Sequence, residues 1–284
     1  MDISLNIFRK KPRYKLGKRP ARPGAVKLAF ETYVSTEALQ EPPPVFGHDS
    51  LVNGGFPMLC NDLVGDCAAG AGAAHQIMLW TAEAGNQAPF NDKAALANYS
   101  AVTGYKPGPE VRGFDASGNV IPDYNAPQNP TDQGTDVAAM LRYWNLTGLL
   151  DAAGNVHKIG AVVALEPGNW EQLRYASYYF DGVAIGINLP VQWMDAFNKG
   201  QPWTRVCRPR YEGGHYIVEV AWRDNNCVVS TWGGEIELTQ SGYAQCSDES
   251  YAIMSEEKLR NGVDLEGLDL AALTADMPKL KDIS

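Results

Sequence analysis

The sequence predicts an α+β protein with two unlike halves, because segments of helical period come first and segments of strand period follow them. Size and composition agree with that reading. A chain of 284 residues, 45 % hydrophobic and 20 % charged, is long enough for one large domain or two small lobes sharing a cleft, with a packed core.

Residues 1–45 lack periodicity and end in EPPPVFG, where three prolines enforce an extended backbone. The stretch 46–66 is turn-rich. At Cys67 the character changes to CAAGAGAAHQIMLWTAEAG, free of proline, with small residues early and larger apolar ones later. This predicts a helix of about 15–18 residues, with Asp66 as N-cap and Gly85 as stop. A second helix is expected over 91–104, then a Pro/Gly/Asn/Asp-rich loop over 105–134. In a third helix, at 135–148, Val137, Met140, Leu141 and Trp144 fall at i, i+3, i+4 and i+7.

Strand signals then dominate. KIGAVVALE reads as a strand, EPGNWEQLRYASYYF as a helix and GVAIGINLP as a strand; HYIVEVAW and NCVVSTW read as strands joined by the turn RDNN. The expected organisation is therefore an N-terminal arm (1–45) and a main domain (46–254), mainly helical to 150 and mainly β from 151. A C-terminal docking helix or tail (255–284) completes it. Tryptophans 80, 144, 170, 193, 203 and 222 sit at helix or strand spacing and are assigned to the core.

Charge is unevenly placed. The net value is −9, yet residues 1–27 carry nine Lys and Arg against Asp2 alone. A basic arm on an acidic body implies docking on something acidic: another subunit, nucleic acid or the body itself. Nucleic acid is the weaker option, since no aromatic residues interleave with the basic ones in a known binding pattern. No apolar run approaches the roughly 20 residues of a membrane span. The N-terminus lacks the apolar stretch of a secretory signal, so a cytoplasmic location, or a particle assembled there, is expected. Five cysteines (60, 67, 207, 227 and 246) are too few for a disulfide scaffold, and with no CxxC and four His a structural zinc site is not expected. No cofactor is expected.

A thiol becomes a nucleophile when its pKa is lowered, and a helix N-terminus offers unpaired N–H groups for that purpose. Cys67 stands at such a position, followed by small residues that permit close approach. A base should arrive from elsewhere. GGHYIVEVAW puts His215 at a strand start after two glycines, and VVSTWGG on the next strand can supply a group to orient the ring. His48, His75 and His157 lack comparable surroundings, and His75 is too far along the helix from Cys67.

These pieces, in this order, resemble the papain-like cysteine peptidases across roughly residues 46–254. Asn61 stands six residues before Cys67, where that family has its oxyanion glutamine, and QGTDVAAMLRYWNLTG resembles its middle helix. The segment from EPGNW to GVAIGIN resembles its entry into the β half, and GGHYIVEV and STWGG follow. The resemblance implies Cys67 as nucleophile and His215 as base. Asn61 and the Cys67 N–H would stabilise the oxyanion, and Trp232 would shield the histidine. Two departures bear on rate. Asn61 is one methylene shorter than glutamine. Alignment on Trp232 puts Ser230 in place of the orienting asparagine, with Thr231 as alternative third member. DCAA also resembles the leader peptidases of bacteriocin exporters, and the His-x-x-x-Glu-Val strand resembles transglutaminase-like proteins. The implied function is hydrolysis of a peptide or amide bond by a Cys–His pair with an altered third member. The alternative is a weak or inactive papain-like scaffold with a structural or assembly role, for example in a bacteriophage particle. An autoprocessing enzyme would combine the two.

Overall fold

The computed structural model describes residues 14–261 and 268–283. The basic residues Arg9, Lys10, Lys11 and Arg13 of the arm lie outside them.

The helical half forms where the sequence predicts it. Residues Cys67–Gly72 make one wide turn, in which the Ala73 N–H reaches back to the Ala68 carbonyl, and this runs into the helix Ala73–Glu83. Gly85, at φ 77°, ends it. The helix Asp92–Thr103 starts at Asn91, whose side chain accepts from the Ala94 N–H, and stops at Gly104 in the left-handed conformation. In the third helix, Val137–Leu146, Asp136 caps the Ala139 N–H, and Val137, Met140, Leu141 and Trp144 are all buried. Trp144 stacks on Trp80 with ring centroids 5.5 Å apart, which ties two of the helices together.

The other half is a continuous antiparallel sheet. Its strand order is Gly234–Leu238, Asn226–Thr231, Tyr211–Arg223, Val183–Pro190, Ser247–Ser255 and Ile159–Leu165. The short strand Phe46–Gly47 adds to the far end of Tyr211–Arg223. The cysteine helix packs against Tyr211–Arg223. A Cβ on Gly72 would lie 2.4 Å from the Tyr216 ring, so only glycine allows this approach. The Tyr216 hydroxyl donates to Gln76 Oε1 across the same buried junction.

Several elements were not legible beforehand. The 105–134 loop contains a small hairpin, Val111–Phe114 with Val120–Pro122, whose turn is held by the Asp115 carboxylate. Two turns of helix, Val191–Asn198 and Gln240–Cys246, are too short to show a period. The strand Ser247–Ser255 opens Ser-Asp-Glu, which reads as a polar loop, yet Ala252, Ile253 and Met254 are wholly buried between two neighbours. The 1–45 region is only partly an arm. Val26, Leu28, Phe30, Tyr33 and Val34 belong to the core, and the Ala164 N–H donates to the Leu28 carbonyl. The helix Leu270–Asp276 buries Leu273 and receives a hydrogen bond from the Tyr33 hydroxyl on Asp276. Five of the six tryptophans assigned to the core are buried, and Trp170 is partly buried against Trp222.

Truncation at the helix–helix stack should be costly. Trp144→Ala is expected to lower stability by about 3–5 kcal/mol, read as a shift in the urea midpoint at unchanged slope.

Candidate active site

Cys67 opens its helix buried, the residue 2 % exposed, beside the strand of His215. The first turn is wound wide because the Asp66 carbonyl accepts from both the Gly70 and Ala71 N–H groups. Asp66 occupies the cap position, but its side chain makes no cap bond, contrary to expectation. The carboxyl folds back against Gly70 instead, where a Cβ would lie 2.4 Å from Oδ2. Burial raises it well above the usual carboxylate range, the neighbouring Asn61 amide acting against that.

His215 is fully buried. Its Nε2 lies 2.6 Å from Thr231 Oγ1, and its Nδ1 has no hydrogen-bond partner among the described residues. Ser230 does not orient His215. Neighbouring residues on a strand face opposite sides of a sheet, and Ser230 Oγ points the other way, 3.1 Å from His75 Nδ1. His75 is a structural histidine, its Nε2 2.7 Å from the Pro57 carbonyl. Of the two hydroxyls considered, Thr231 is therefore the one in contact with His215. Trp232 stacks on the His215 ring at 4.4 Å and 25°. It holds a left-handed backbone, φ 44°, uncommon for a bulky residue. Asn61 is buried after two left-handed residues, Leu59 and Cys60, and its amide donates to the Val64 carbonyl at 3.3 Å. In this state the amide is engaged locally.

The arm supplies what the sequence did not reveal. Residues 14–19 run as an extended segment across Cys67. The Lys15 N–H donates to the Asn61 carbonyl, the Lys18 N–H to the Gly214 carbonyl and the Arg19 N–H to the Thr135 carbonyl, while the Thr135 N–H donates to the Gly17 carbonyl at 2.6 Å. Tyr14 stacks on Trp232 at 4.5 Å, so Tyr14, Trp232 and His215 form one pile of rings. The Trp232 indole N–H donates to the Lys15 carbonyl. Four glycines make the passage possible. A Cβ on Gly17 would fall 1.8 Å from the Gly65 carbonyl oxygen, one on Gly65 2.8 Å from the Leu16 oxygen, one on Gly134 2.4 Å from the Gly17 oxygen and one on Gly214 2.3 Å from the Lys18 oxygen. A sequence signal did exist, in the glycines of VGDC, QGTD and GGHY, but each has ordinary readings when seen alone.

The cover sets the protonation states. Burial pushes the Cys67 thiol up to about 12, with the backbone N–H groups of Tyr216 and Gly17 and the charge of Lys18 pulling it back. Burial alone holds His215 down at about 3. Near neutral pH the pair is thus thiol and neutral imidazole. The lowered thiol pKa expected from a helix start is not realised here, because loss of solvent outweighs the N–H groups. The segment is also posed away from reaction. Cys67 meets the Gly17 N–H, whereas the Gly17 carbonyl oxygen is turned to Thr135. A cavity of 840 Å³ lies at the far end of the helix around Trp80, Asp151 and His157. It is about 20 Å along the helix axis from Cys67 and touches none of these groups.

The fold of this chain has counterparts among solved structures. It is similar to xylellain, a cysteine protease from Xylella fastidiosa, with a TM-score of 0.54 and 12 % identity over 87 % of this chain and 98 % of that one. It is similar to procathepsin B S9 from Trypanosoma congolense, with a TM-score of 0.51 and 12 % identity over 87 % and 88 % of the two chains. The chain has the papain-like cysteine protease fold. A third structure of this fold holds the cysteine protease and lectin-like domains of Cwp84, a surface-layer-associated protein of Clostridium difficile. It matches with a TM-score of 0.51 and 12 % identity over 86 % of this chain and 56 % of that one. No protein-family model matches the sequence, and no characterised protein matches it by sequence. The papain-like fold accounts for the α+β organisation, with a helical half carrying the Cys67 helix and an antiparallel half carrying the His215 strand.

Four outcomes follow from this geometry. Gly17→Val cannot keep its place against the Gly65 backbone. Iodoacetamide should therefore label Cys67 about tenfold faster or more in this variant than in wild type at pH 7, read by peptide mass spectrometry. Wild-type labelling should stay slow up to pH 9, because a raised thiol pKa leaves little thiolate below it. Ser230→Ala strips His75 of a partner and is expected to cost about 1–3 kcal/mol of stability without changing Cys67 labelling in the Gly17→Val background. Thr231→Val is expected to slow that labelling.

Proposed function

We propose that the chain is a papain-type cysteine hydrolase of peptide or amide bonds, held closed by its own residues 14–19. One observation carries this reading. The groove across Cys67 already holds an extended peptide, gripped through backbone hydrogen bonds to Gly214 on one wall and Thr135 on the other. Main-chain pairing of this kind takes any extended peptide and leaves selection to side-chain pockets.

With the arm displaced, solvent reaches Cys67 and His215 and the burial that disfavours their charged forms is relieved. The Cys67 proton moves to His215, on the nitrogen not engaged by Thr231. The sulfur attacks a substrate carbonyl carbon, forming an S–C bond, and the oxyanion is met by the Cys67 N–H and by Asn61 once its amide turns from Val64. His215 then gives the proton to the leaving amine as the C–N bond breaks. Water, deprotonated by His215, cleaves the thioester, releases the acid and restores the thiol. Thr231 orients the imidazole as a neutral partner, which serves more weakly than an amide or carboxylate, and Trp232 keeps water from the ring.

A second reading, a resting scaffold with an assembly role, is favoured by the neutral Cys–His pair under full cover. One experiment separates the two. Full-length Gly17→Val is incubated with a mixed peptide library, and cleavage is followed by mass spectrometry beside Gly17→Val/Cys67→Ala. Cleavage absent from the double variant supports the hydrolase. No cleavage, with Cys67 labelled no faster than a buried thiol, establishes the scaffold.

A further inference from the structure

The arginines with described side chains divide into two groups. Arg22, Arg112, Arg174 and Arg223 pair with Asp136, Asp123, Glu41 and Asp49, Arg19 Nε donates to the Gln133 carbonyl, and Arg142 is engaged too. Arg205, Arg208 and Arg210 are exposed, and their side chains meet no acceptor among the described residues. They stand in the loop before the His215 strand. Its residues 199–211 include Lys199 as well and no Asp or Glu, in a chain of net charge −9. The loop is braced throughout. Buried Trp203 donates its backbone N–H to the Glu237 carbonyl and its indole N–H to the Trp193 carbonyl. The Trp193 indole N–H donates to the Thr204 carbonyl, and the Gln245 amide takes the Val206 N–H and gives to the Val206 carbonyl. The Val191 N–H donates to the Arg210 carbonyl. Arg208 itself holds a left-handed backbone, φ 53°, uncommon outside glycine. The backbone is fixed while the guanidinium groups are left to solvent, so a partner meets a surface ordered in advance.

The matching acid lies at the other edge of the sheet. An open cleft of 620 Å³ carries Glu31, Glu37 and Asp269 with the hydroxyls of Thr32 and Ser35, and no Lys, Arg or His among the described residues lines it. Glu31 and Glu37 are exposed and have no partner among the described residues. Trp203 bridges to Leu238 on one edge strand, whereas Ala29, just before Glu31, reaches Ala164 on the opposite edge strand. Five strand spacings, about 24 Å, separate those edges. The loop of one chain is thus kept from its own cleft. We propose that the Arg205–Arg208–Arg210 loop docks on the Glu31–Glu37–Asp269 cleft of a second copy of this chain. Guanidinium forks match carboxylates in shape as well as in charge. The two surfaces differ, so the contact is head to tail, and each end copy keeps one surface free to extend the assembly. A long polyanion such as nucleic acid would be repelled by the net negative body along its length. Between copies, salt near 0.1 M screens the net repulsion beyond about 10 Å and leaves the touching pairs their attraction. Exposed pairs are individually weak, so the association is weak and sensitive to salt. It stands apart from the Cys67 groove and holds under either reading of that site.

Sedimentation velocity of the full chain over a concentration series, in about 0.1 M and about 1 M NaCl, tests the contact. Species larger than the monomer are expected to grow with concentration at the lower salt and to vanish at the higher. Arg205→Glu/Arg208→Glu/Arg210→Glu and Glu31→Lys/Glu37→Lys should each weaken association about tenfold or more. Mixing the two variants should restore it, because each reversed surface then faces its complement. An unchanged urea midpoint checks the fold of each variant, and Arg205→Gln/Arg210→Gln, which only removes charge, replaces a loop variant that fails this check. A monomer at every concentration in the lower salt overturns the proposal. So does association that both reversals leave unchanged, and so does a mixture that stays dissociated.

Discussion

The close seat of the cysteine helix on the histidine strand governs everything around it. Gly72 meets the Tyr216 ring where any Cβ would collide, and Gln76 takes the Tyr216 hydroxyl in the same buried seam. That contact joins the helical half to the sheet. It brings the Cys67 sulfur to the Tyr216 N–H, one residue from His215. The small residues after Cys67 are therefore a packing requirement and a chemical one together. They let the helix come near enough for its first residue to lie at the sheet, and the wide turn of Cys67–Gly72 aims that residue.

A second constraint acts through glycines that are far apart in the chain. Gly17, Gly65, Gly134 and Gly214 surround the point where the arm crosses the sulfur, and at each a Cβ would overlap backbone. Backbone in contact with backbone excludes water, and exclusion of water is what turns a Cys–His pair into two neutral groups. Chain geometry thereby sets the protonation state at the site. The basic character of the arm is used locally: Lys18 pairs with Asp248 and Glu249, and Arg22 pairs with Asp136. Of the acidic partners the sequence allowed for this arm, the body itself is the one met by residues 14–22.

The third member of the site shows how a strand's period of two decides chemistry. Ser230 and Thr231 are adjacent hydroxyl residues with nearly the same donor and acceptor capacity. One faces His75 and stabilises the helix against the sheet; the other faces His215. Alignment on a tryptophan signature chose the first, and the pleat chose the second. Trp232, with its left-handed backbone, directly follows the last residue of that strand.

Much was legible in the sequence alone. The Cys67 helix, the helices after Asn91 and Asp136, the strand that starts near His215 and the order of the two halves followed from caps, glycine stops and periodicity, which are local signals. The positions of Cys67, His215 and Trp232 near one another were implied by motif order. Only the tertiary structure decided the rest. Whether Cys67 is a thiolate depends on burial, and burial depends on a segment some fifty residues upstream lying across it. Ser247–Ser255 became an interior strand because its neighbours supply hydrogen bonds to a segment that reads as polar. The buried ion pair of Lys18 needs Glu249 from an interior strand and Lys18 from the arm, two residues whose proximity no local pattern encodes. Local physics writes helices, caps and turns into the sequence, whereas solvent exclusion and charge pairing belong to the assembled surfaces.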